Sequence, residues 1–271
     1  MPLSAIYRPH PEAPARALLS PWTSSGAWTG IEAQRFEVVS RGDFVPGLLY
    51  LPESPPDGGA PLLLLAHGLS DSMHASYLGC AARWVPEGLA AAVIDLPLHG
   101  SRSSPKLSER LVAGLAGLQT GVPLDTETLA LVEEFARQAT SDWIRTLDAL
   151  CDLPVINDER VAYLGFDLGS VVGSYLLGHD ERIRAAALTS ISAGKGPEAL
   201  DPASWIARAK TTSTLVLTTE GEETFAQESL QAFFEAIPEP KHRATWPGHH
   251  QSLAGEAMQQ TWAFLRKELG L

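Results

Sequence analysis

The most constraining feature of the sequence is a strand-to-helix pattern at residues 160–173, which read RVAYLGFDLGSVVG. An apolar run leads into Gly165, a carboxylate stands at Asp167, and Gly169 opens a segment whose composition suits a helix. Two glycines in this spacing let the arms of a sharp turn pass closely, while the residue between them takes strained backbone angles. The amides that begin the helix favour negative charge at that residue. We therefore expect the Asp167 side chain to project over one end of a sheet.

Strands and helices alternate through most of the chain. Continuous apolar runs at residues 61–66 and 89–95 are typical of strands covered on both faces. Besides the strand that leads to Asp167, further strands are predicted at residues 34–40, 45–51, 183–189, 214–219 and 241–246. Helices are predicted at residues 75–85, 125–150, 168–177, 225–237 and 252–269. The alternation predicts the α/β class, with a mostly parallel sheet of about eight strands and helices on both faces.

Two segments depart from this rhythm within what we expect to be a single domain of residues 1–271. Residues 1–30 are rich in Pro, Ser and Gly and are predicted to form an N-terminal arm that lies on the body. Residues 103–140 carry extra helical patterns around a break at Thr120–Pro123. This segment is predicted to be a small helical insertion that caps the carboxyl edge of the sheet.

Composition narrows the class of partner. The 271 residues carry a net charge of −12, which argues against nucleic acid and anionic membrane surfaces as partners. Residues 1–20 lack the apolar segment of about 7–15 residues found in secretory signals, and no run approaches the ~18 apolar residues of a membrane span. The two cysteines, Cys80 and Cys151, lie outside any metal-binding spacing. A cytoplasmic protein that binds a small molecule is the expectation.

Four motifs together resemble one superfamily. They are His67-Gly68 after the third predicted strand, the DLPLHG sequence at residues 95–100, the turn at Asp167, and PGHH at residues 247–250. In this order they resemble the α/β-hydrolases, over about residues 34–270, and within them the dienelactone-hydrolase-like and acyl-esterase-like branch. The resemblance implies the α/β-hydrolase fold and hydrolase activity without a metal or an organic cofactor. Members of that branch carry Ser or Cys at the apex of the turn, whereas this chain has Asp167.

The resemblance also implies an order of nucleophile, acid and base along the chain. Asp167 is then the nucleophile candidate, and the base follows the last strand. His250 is preferred as the base because related sequences often read Pro-Gly-x-His at this point, and His249 remains the alternative.

The acid is expected after the strand at residues 214–219. The segment there contains three glutamates, and Glu222 fits best because an apolar residue, Phe225, follows three positions later. Glu220 and Glu223 remain alternatives. The acid would hold the histidine tautomer and stabilise imidazolium.

Backbone amides and pocket residues complete the predicted site. The amides of Leu69 and Leu168 are the predicted oxyanion donors, because they follow His67-Gly68 and the apex. Ser70, His74 and Trp205 are the predicted pocket residues.

An aspartate at the apex changes the chemistry that the fold supports. A carboxylate that attacks an ester carbonyl forms a high-energy mixed anhydride, whereas attack on a saturated carbon gives an alkyl ester with a halide or an epoxide oxygen as leaving group. Haloalkane dehalogenases and epoxide hydrolases use Asp in the same turn, although they commonly have Trp or Arg at the next position, where this chain has Leu168. Three interpretations stay open. The first is a hydrolase that uses Asp167 as a covalent nucleophile or as a base on an epoxide, a halide or an activated ester. The second is a pseudoenzyme or binding protein, and the third is a serine esterase in which Asp has replaced Ser.

Overall fold

The computed structural model describes residues 14–210, 212–221, 224–249 and 255–271, and at residues 248 and 249 it describes the backbone alone. Within these residues the chain forms one nine-stranded sheet in the order β1-β2-β3-β5-β4-β6-β7-β8-β9. The strands are β1 (Leu18–Trp22), β2 (Glu32–Ser40), β3 (Asp43–Leu51), β4 (Ala60–Ala66), β5 (Ala90–Ile94), β6 (Ile156–Phe166), β7 (Ile183–Thr189), β8 (Ser213–Gly221) and β9 (Lys241–His249).

The sheet has an antiparallel part and a parallel part. The pairs β1/β2, β2/β3 and β3/β5 are antiparallel, and every pair from β5 through β4 and β6 to β9 is parallel. The carboxyl ends of the parallel strands therefore meet at one edge of the sheet. The prediction of a mostly parallel α/β fold is confirmed.

The sheet has one strand more than predicted, and this strand is β1, which lies within the predicted N-terminal arm at residues 1–30. It pairs with β2 on one side only, with Pro21 opposite Gln34, and all five of its residues are exposed. A strand at the edge of a sheet tolerates proline because one of its sides needs no ladder hydrogen bonds. The sequence did not predict this strand within the arm segment, and Trp28 of the same segment stacks on Tyr50.

Six helices surround the sheet in the described residues. They are α1 (Pro105–Thr120), α2 (Thr126–Cys151), α3 (Leu168–Leu177), α4 (Pro202–Ile206), α5 (Gln227–Ala236) and α6 (Gly255–Leu269). Helix α1 and the first turns of α2 lie in the segment at residues 103–140 that was predicted to be an insertion. Arg110 of α1 joins them through its bonds to Asp125, Glu127 and Thr128.

The predicted helix at residues 75–85 takes another form. Ser76–Arg83 and Val85–Glu87 are 3₁₀ helices. A Cβ at Gly79 would lie 2.6 Å from the Cβ of Ala27, so this segment packs closely against the short 3₁₀ turn at Gly26–Trp28. The tighter helix is thus set by packing that local propensity does not reveal.

The core lies on both faces of the central strands. Every residue of β4 is buried, and successive side chains enter opposite layers: Leu62 and Leu64 join one apolar cluster, and Leu63 and Leu65 join the other. This is the period of two expected of a strand that is covered on both sides. None of the helices in the described part of the chain is long and apolar enough to cross a membrane.

Candidate active site

Asp167 is the residue between β6 and α3, and its backbone is strained. Its φ of 51° and ψ of −113° lie outside the usual regions for an L-residue. The turn is possible because its arms come very close. A Cβ at Gly165 would lie 2.7 Å from the Gly169 carbonyl oxygen, and one at Gly169 would lie 2.4 Å from the Ala66 carbonyl oxygen. The sequence-based expectation of a sharp turn with close glycines therefore matches the observed geometry.

The side chain of Asp167 is held by the loop that follows β4. The Leu69 N–H donates to Asp167 Oδ2 at 3.0 Å, across 98 residues of sequence. Strands β4 and β6 are neighbours and pair Ala66 with Gly165, so the residues after them meet at the same edge. Among the described residues, Asp167 Oδ1 accepts no hydrogen bond. The N–H of Leu168 is one of the first amides of α3, which no intrahelical carbonyl satisfies.

His67 fixes the peptide that carries the Leu69 amide. Leu96 N–H donates to His67 Nε2 at 3.1 Å, so the ring proton is on Nδ1, which donates to the Gly68 carbonyl oxygen at 2.8 Å. His67 is fully buried, and burial lowers its pKa to about 4. A neutral, single-tautomer imidazole thus orients the Gly68–Leu69 peptide toward Asp167.

Tyr77 holds the same loop from the other side. Gly68 N–H donates to the Tyr77 hydroxyl at 2.8 Å, and burial together with the nearby Asp71 carboxylate raises the pKa of Tyr77. A Cβ at Gly68 would lie 3.4 Å from both the Tyr77 hydroxyl and Asp167 Oδ2. The Tyr77 hydroxyl and the Asp167 carboxylate therefore both lie next to the position where Gly68 lacks a side chain.

A buried ionic brace lies beneath the loop. Arg102 Nη1 donates to the Asp95 carbonyl oxygen at 3.0 Å and to Asp142 Oδ2 at 2.7 Å. Asp95 accepts Met73 N–H and Ser101 N–H, each at 2.8 Å. These contacts tie the segment after β5 to α2 and to the β4 loop. Removal of one partner would leave a buried charge, so the brace is structural in character.

Asp167 and Leu69 stand at the boundary of two cavities. The larger cavity, of about 800 Å³, has a mixed lining whose polar members are Asp71, Ser76, Arg83, Thr189, Ser190 and Gln259. The smaller cavity, of about 60 Å³, lies between α1, α3 and the segment after β7. Its lining is mainly aliphatic and aromatic, from Leu115, Leu118, Leu168, Val171, Ile191, Leu200 and Phe225.

The predicted base and acid follow the ends of β9 and β8. The register pairs Gly221 with His249, so these two strands end side by side. His250, Glu222 and Glu223 lie outside the described residues, and the side chain of His249 is not described. Glu220 lies in β8 with its side chain exposed. The assignments to His250, His249 and Glu222 therefore stay predictions.

The predicted pocket residues lie elsewhere. Trp205 is 1% exposed, donates from Nε1 to the Ala199 carbonyl oxygen and stacks on His179, so it is a core residue and that prediction was wrong. Ser70 and His74 are exposed and are absent from the described linings of both cavities. Ser70 has a left-handed backbone conformation with a φ of 61°, and the His74 ring lies near Trp22.

Ser170, the hydroxyl nearest the apex in sequence, is structural. It is fully buried, its Oγ lies 2.8 Å from the Gly165 carbonyl oxygen, and it accepts Thr189 N–H at 2.9 Å. A hydroxyl engaged in this way cannot reach a substrate, which leaves Asp167 as the reactive group at this turn.

Sequence reasoning missed four residues of the site: Tyr77, Asp71, Leu115 and Leu118. The first two form the wall beside the Gly68 amide, and the two leucines bring α1 to the small cavity. No spacing rule marked Tyr77, because its reach depends on the 3₁₀ form of its segment. The leucines share one helix face at the i, i+3 spacing, which was the one available signal.

Comparison with solved structures identifies the fold. A cold-adapted esterase from an Arctic intertidal metagenomic library superposes with a TM-score of 0.70 at 21% identity, covering 88% of this chain and 94% of that one. An acetyl xylan esterase from Paenibacillus sp. R4 gives a TM-score of 0.71 at 18% identity, covering 98% and 91%. A Klebsiella pneumoniae protein, provisionally named a dienelactone hydrolase, gives 0.64 at 16% identity, covering 89% and 99%.

Sequence comparison adds no family. Neither a protein-family model nor a curated protein sequence matches this chain. The similarity to solved structures, together with the sheet order and the strained turn at Asp167, shows that the chain has the α/β-hydrolase fold.

Proposed function

We propose that this protein is a hydrolase in which Asp167 attacks a small or medium, largely apolar substrate and forms a covalent ester. His250 is the base, with His249 as the alternative, and Glu222 is the acid that orients it. The proposal includes the sequence-based expectations of a cytoplasmic location and of chemistry without a metal or an organic cofactor. The structural neighbours support it, since those named above are esterases or carry a hydrolase name.

One observation carries the choice of chemistry. The Leu69 amide, which in a serine esterase would be free to bind the carbonyl oxygen of a substrate, donates here to Asp167 Oδ2. The carboxylate thus occupies the oxyanion position itself, and attack on a substrate carbonyl would have to displace it. Attack on a saturated carbon needs no such displacement, so an alkyl halide or an epoxide fits this site better than an ordinary ester.

The geometry suggests two steps. In the first step Asp167 Oδ1 forms a bond to carbon, and the leaving group departs with its electron pair. In the second step a water molecule gives a proton to His250 and attacks the Asp167 carboxyl carbon, so that negative charge develops on Oδ2 beside the Leu69 and Leu168 amides. Collapse of this intermediate breaks the ester bond, and the departing alkoxide takes the proton from His250 to leave as the alcohol. The second proton of the water is then lost from the Asp167 carboxyl group to solvent, which regenerates the carboxylate.

The second candidate is a serine esterase in which Asp has replaced the nucleophile. The esterase structures among the neighbours favour it, as does the Leu69 amide that already lies beside position 167. In that case Asp167→Ser would create activity on short esters and would leave the protein inert toward halides and epoxides.

Isotope transfer and trapping test the proposal. Single turnover in ¹⁸O-water with panels of haloalkanes, epoxides and esters should give a first product with unlabelled oxygen, and label should enter Asp167. His250→Gln should accumulate an adduct equal in mass to the alkyl group, located on Asp167 by peptide mapping. His242→Gln, which changes an exposed histidine on the same strand β9, is the matched control and should turn over normally.

Two outcomes contradict the proposal. A first product that already carries label would limit Asp167 to the role of a base. Inactivity on all three panels, together with tight binding of the compounds, would identify a binding protein.

A further inference from the structure

We infer that the small cavity beside Asp167 is a subsite for the alkyl part of the substrate, and that it restricts this part to a short, unbranched chain of about four carbons. The inference rests on the proposed function and specifies its substrate class: compounds whose reacting carbon carries a short aliphatic tail and whose remaining part is larger and more polar.

The position of the cavity makes it part of the reaction site. Asp167 and Leu69 line both cavities, and Leu168 lines the small one. A carbon atom in contact with Asp167 Oδ1 therefore has two ways to direct its substituents. A polar or bulky leaving group has room in the cavity of about 800 Å³, and the space of about 60 Å³ remains for the chain on the reacting carbon.

The lining of the small cavity suits an aliphatic chain. Leu168, Ile191 and Leu200 line it and are almost fully buried. Tyr175 also lines it, and its hydroxyl is satisfied because it donates to the Leu200 carbonyl oxygen at 2.7 Å. Gln119, Ser192 and Asp167 also line the cavity, but aliphatic and aromatic side chains outnumber them, so a hydrocarbon chain that enters gains mainly apolar contacts.

The volume sets the length of the chain. One water molecule needs about 10–15 Å³ of this kind of space, so the cavity holds about four to six water-sized groups. This corresponds to a straight chain of about four carbons, and a branched or longer chain would have to displace the wall.

A neighbouring segment packs against the wall of the cavity that α1 forms. Leu115 and Leu118 of α1 close the cavity on one side. A Cβ at Gly196 would lie 2.4 Å from Leu118 Cδ2, and Lys195 N–H donates to the Leu118 carbonyl oxygen at 3.4 Å. Lys195 and Gly196 therefore pack directly against Leu118, and these contacts limit the movement of its half-buried side chain. Leu118 is therefore the residue that we expect to determine chain length.

Binding of unreactive probes tests the subsite without relying on turnover. The probes are N-benzyl amides of straight-chain acids from ethanoic to octanoic, whose benzyl group fits the large cavity and whose alkyl chain fits the small one. Calorimetric affinity should rise about fourfold per methylene and should stop rising at about four carbons. Leu118→Ala should move this limit to longer chains, and Leu118→Phe should move it to shorter ones.

The matched control is Leu107→Ala. Leu107 lies on the same helix α1, is 44% exposed and lies outside the described lining of the small cavity, so its replacement should leave the limit unchanged. A wild-type protein whose affinity keeps rising through the seven-carbon chain of the octanoic amide would overturn the inference. So would a limit that stays in place in both Leu118 variants.

A parallel series separates this inference from the proposed function. Haloalkanes with the same tails are offered to His250→Gln, and the covalent adduct is measured by intact mass. Adducts that form equally at every chain length would uphold the covalent chemistry and overturn the subsite. A limit in amide binding without any adduct would uphold the subsite and overturn the covalent chemistry.

Discussion

The two cavities that meet at Asp167 differ in size and in chemistry. The larger one carries carboxylate, guanidinium, hydroxyl and amide groups, whereas the smaller one is lined mainly by aliphatic and aromatic side chains. A carboxylate at such a boundary is in contact with water on one side and with hydrocarbon on the other. The comparison suggests a division of roles, in which the large cavity receives the leaving group and the small cavity selects the chain.

The largest expected effect separates chemistry from chain selection. Asp167→Ala should lower the turnover of any substrate that reacts covalently by about 10⁴-fold or more. Because the small cavity keeps its other walls, the chain-length limit for benzyl amides should survive. Steady-state kinetics and calorimetry measure the two properties independently. Asp158→Ala, at the opposite end of the same strand β6, should alter neither, and loss of the limit in Asp167→Ala would show that the two cavities are not distinct.

The next prediction disturbs the turn that holds the boundary in place. A methyl group at Gly169 would lie 2.4 Å from the Ala66 carbonyl oxygen, so Gly169→Ala should destabilise the fold by about 3 kcal/mol. Gly255→Ala is the control, since a Cβ there meets nothing within 4 Å. Urea denaturation compares the free energies of unfolding. Equal stability of the two variants would mean that β4 and α3 can separate without cost.

A third prediction concerns the loop shared by both cavities and follows from the pKa of His67. Above about pH 7.5 this imidazole is neutral in the folded and unfolded states, so it adds no pH dependence. As the pH falls toward 5, the unfolded chain binds a proton that folded His67, with a pKa of about 4, does not bind. Stability should therefore fall, by about 2 kcal/mol from this residue between pH 7.5 and pH 5.

Paired denaturation curves isolate the contribution of His67. The wild-type protein should lose about 2 kcal/mol more than His67→Asn over the same pH interval. Should that variant not fold, a proton NMR titration of the His67 ring replaces it, and the resonance should not shift between pH 7.5 and pH 5. A ring that titrates near pH 6.5 would contradict the hydrogen-bond arrangement around it.

The smallest expected effect lies on the side of the large cavity. Tyr77→Phe removes the acceptor of the Gly68 N–H and should cost ~1 kcal/mol of stability. Because the loop then holds the Leu69 amide less firmly, kcat should fall several-fold while KM and the chain-length limit change little. Tyr50→Phe, a buried tyrosine stacked on Trp28, is the control. A changed limit in Tyr77→Phe would contradict the separation of the two cavities.

The parts of the site that sequence reasoning located are those fixed by strand ends. Asp167 and Leu69 follow β6 and β4 directly, and parallel neighbours bring such residues together whatever the details of packing. The turn itself was readable because Gly165 and Gly169 leave almost no alternative conformation at this spacing.

The parts that the sequence did not reveal depend on packing between distant segments. Tyr77 reaches Gly68 because its segment is a 3₁₀ helix, and Leu118 reaches the small cavity because the insertion folds over the carboxyl edge. Trp205 was assigned to the pocket for its aromatic ring, but its contact with His179 places it in the core. Strand β1 was not predicted because all five of its residues are exposed, so its sequence lacks the alternation of apolar and polar residues that marks a half-buried strand.

The hydrogen bond between Leu69 and Asp167 joins residues that lie 98 positions apart. No local fragment of the chain contains both, so a partly assembled molecule has no functional centre even when its separate helices are formed. The rate at which activity returns after dilution from denaturant therefore reports the rate at which the β4 and β6 regions pack together. The circular dichroism signal reports helices wherever they form, so it should recover before activity does.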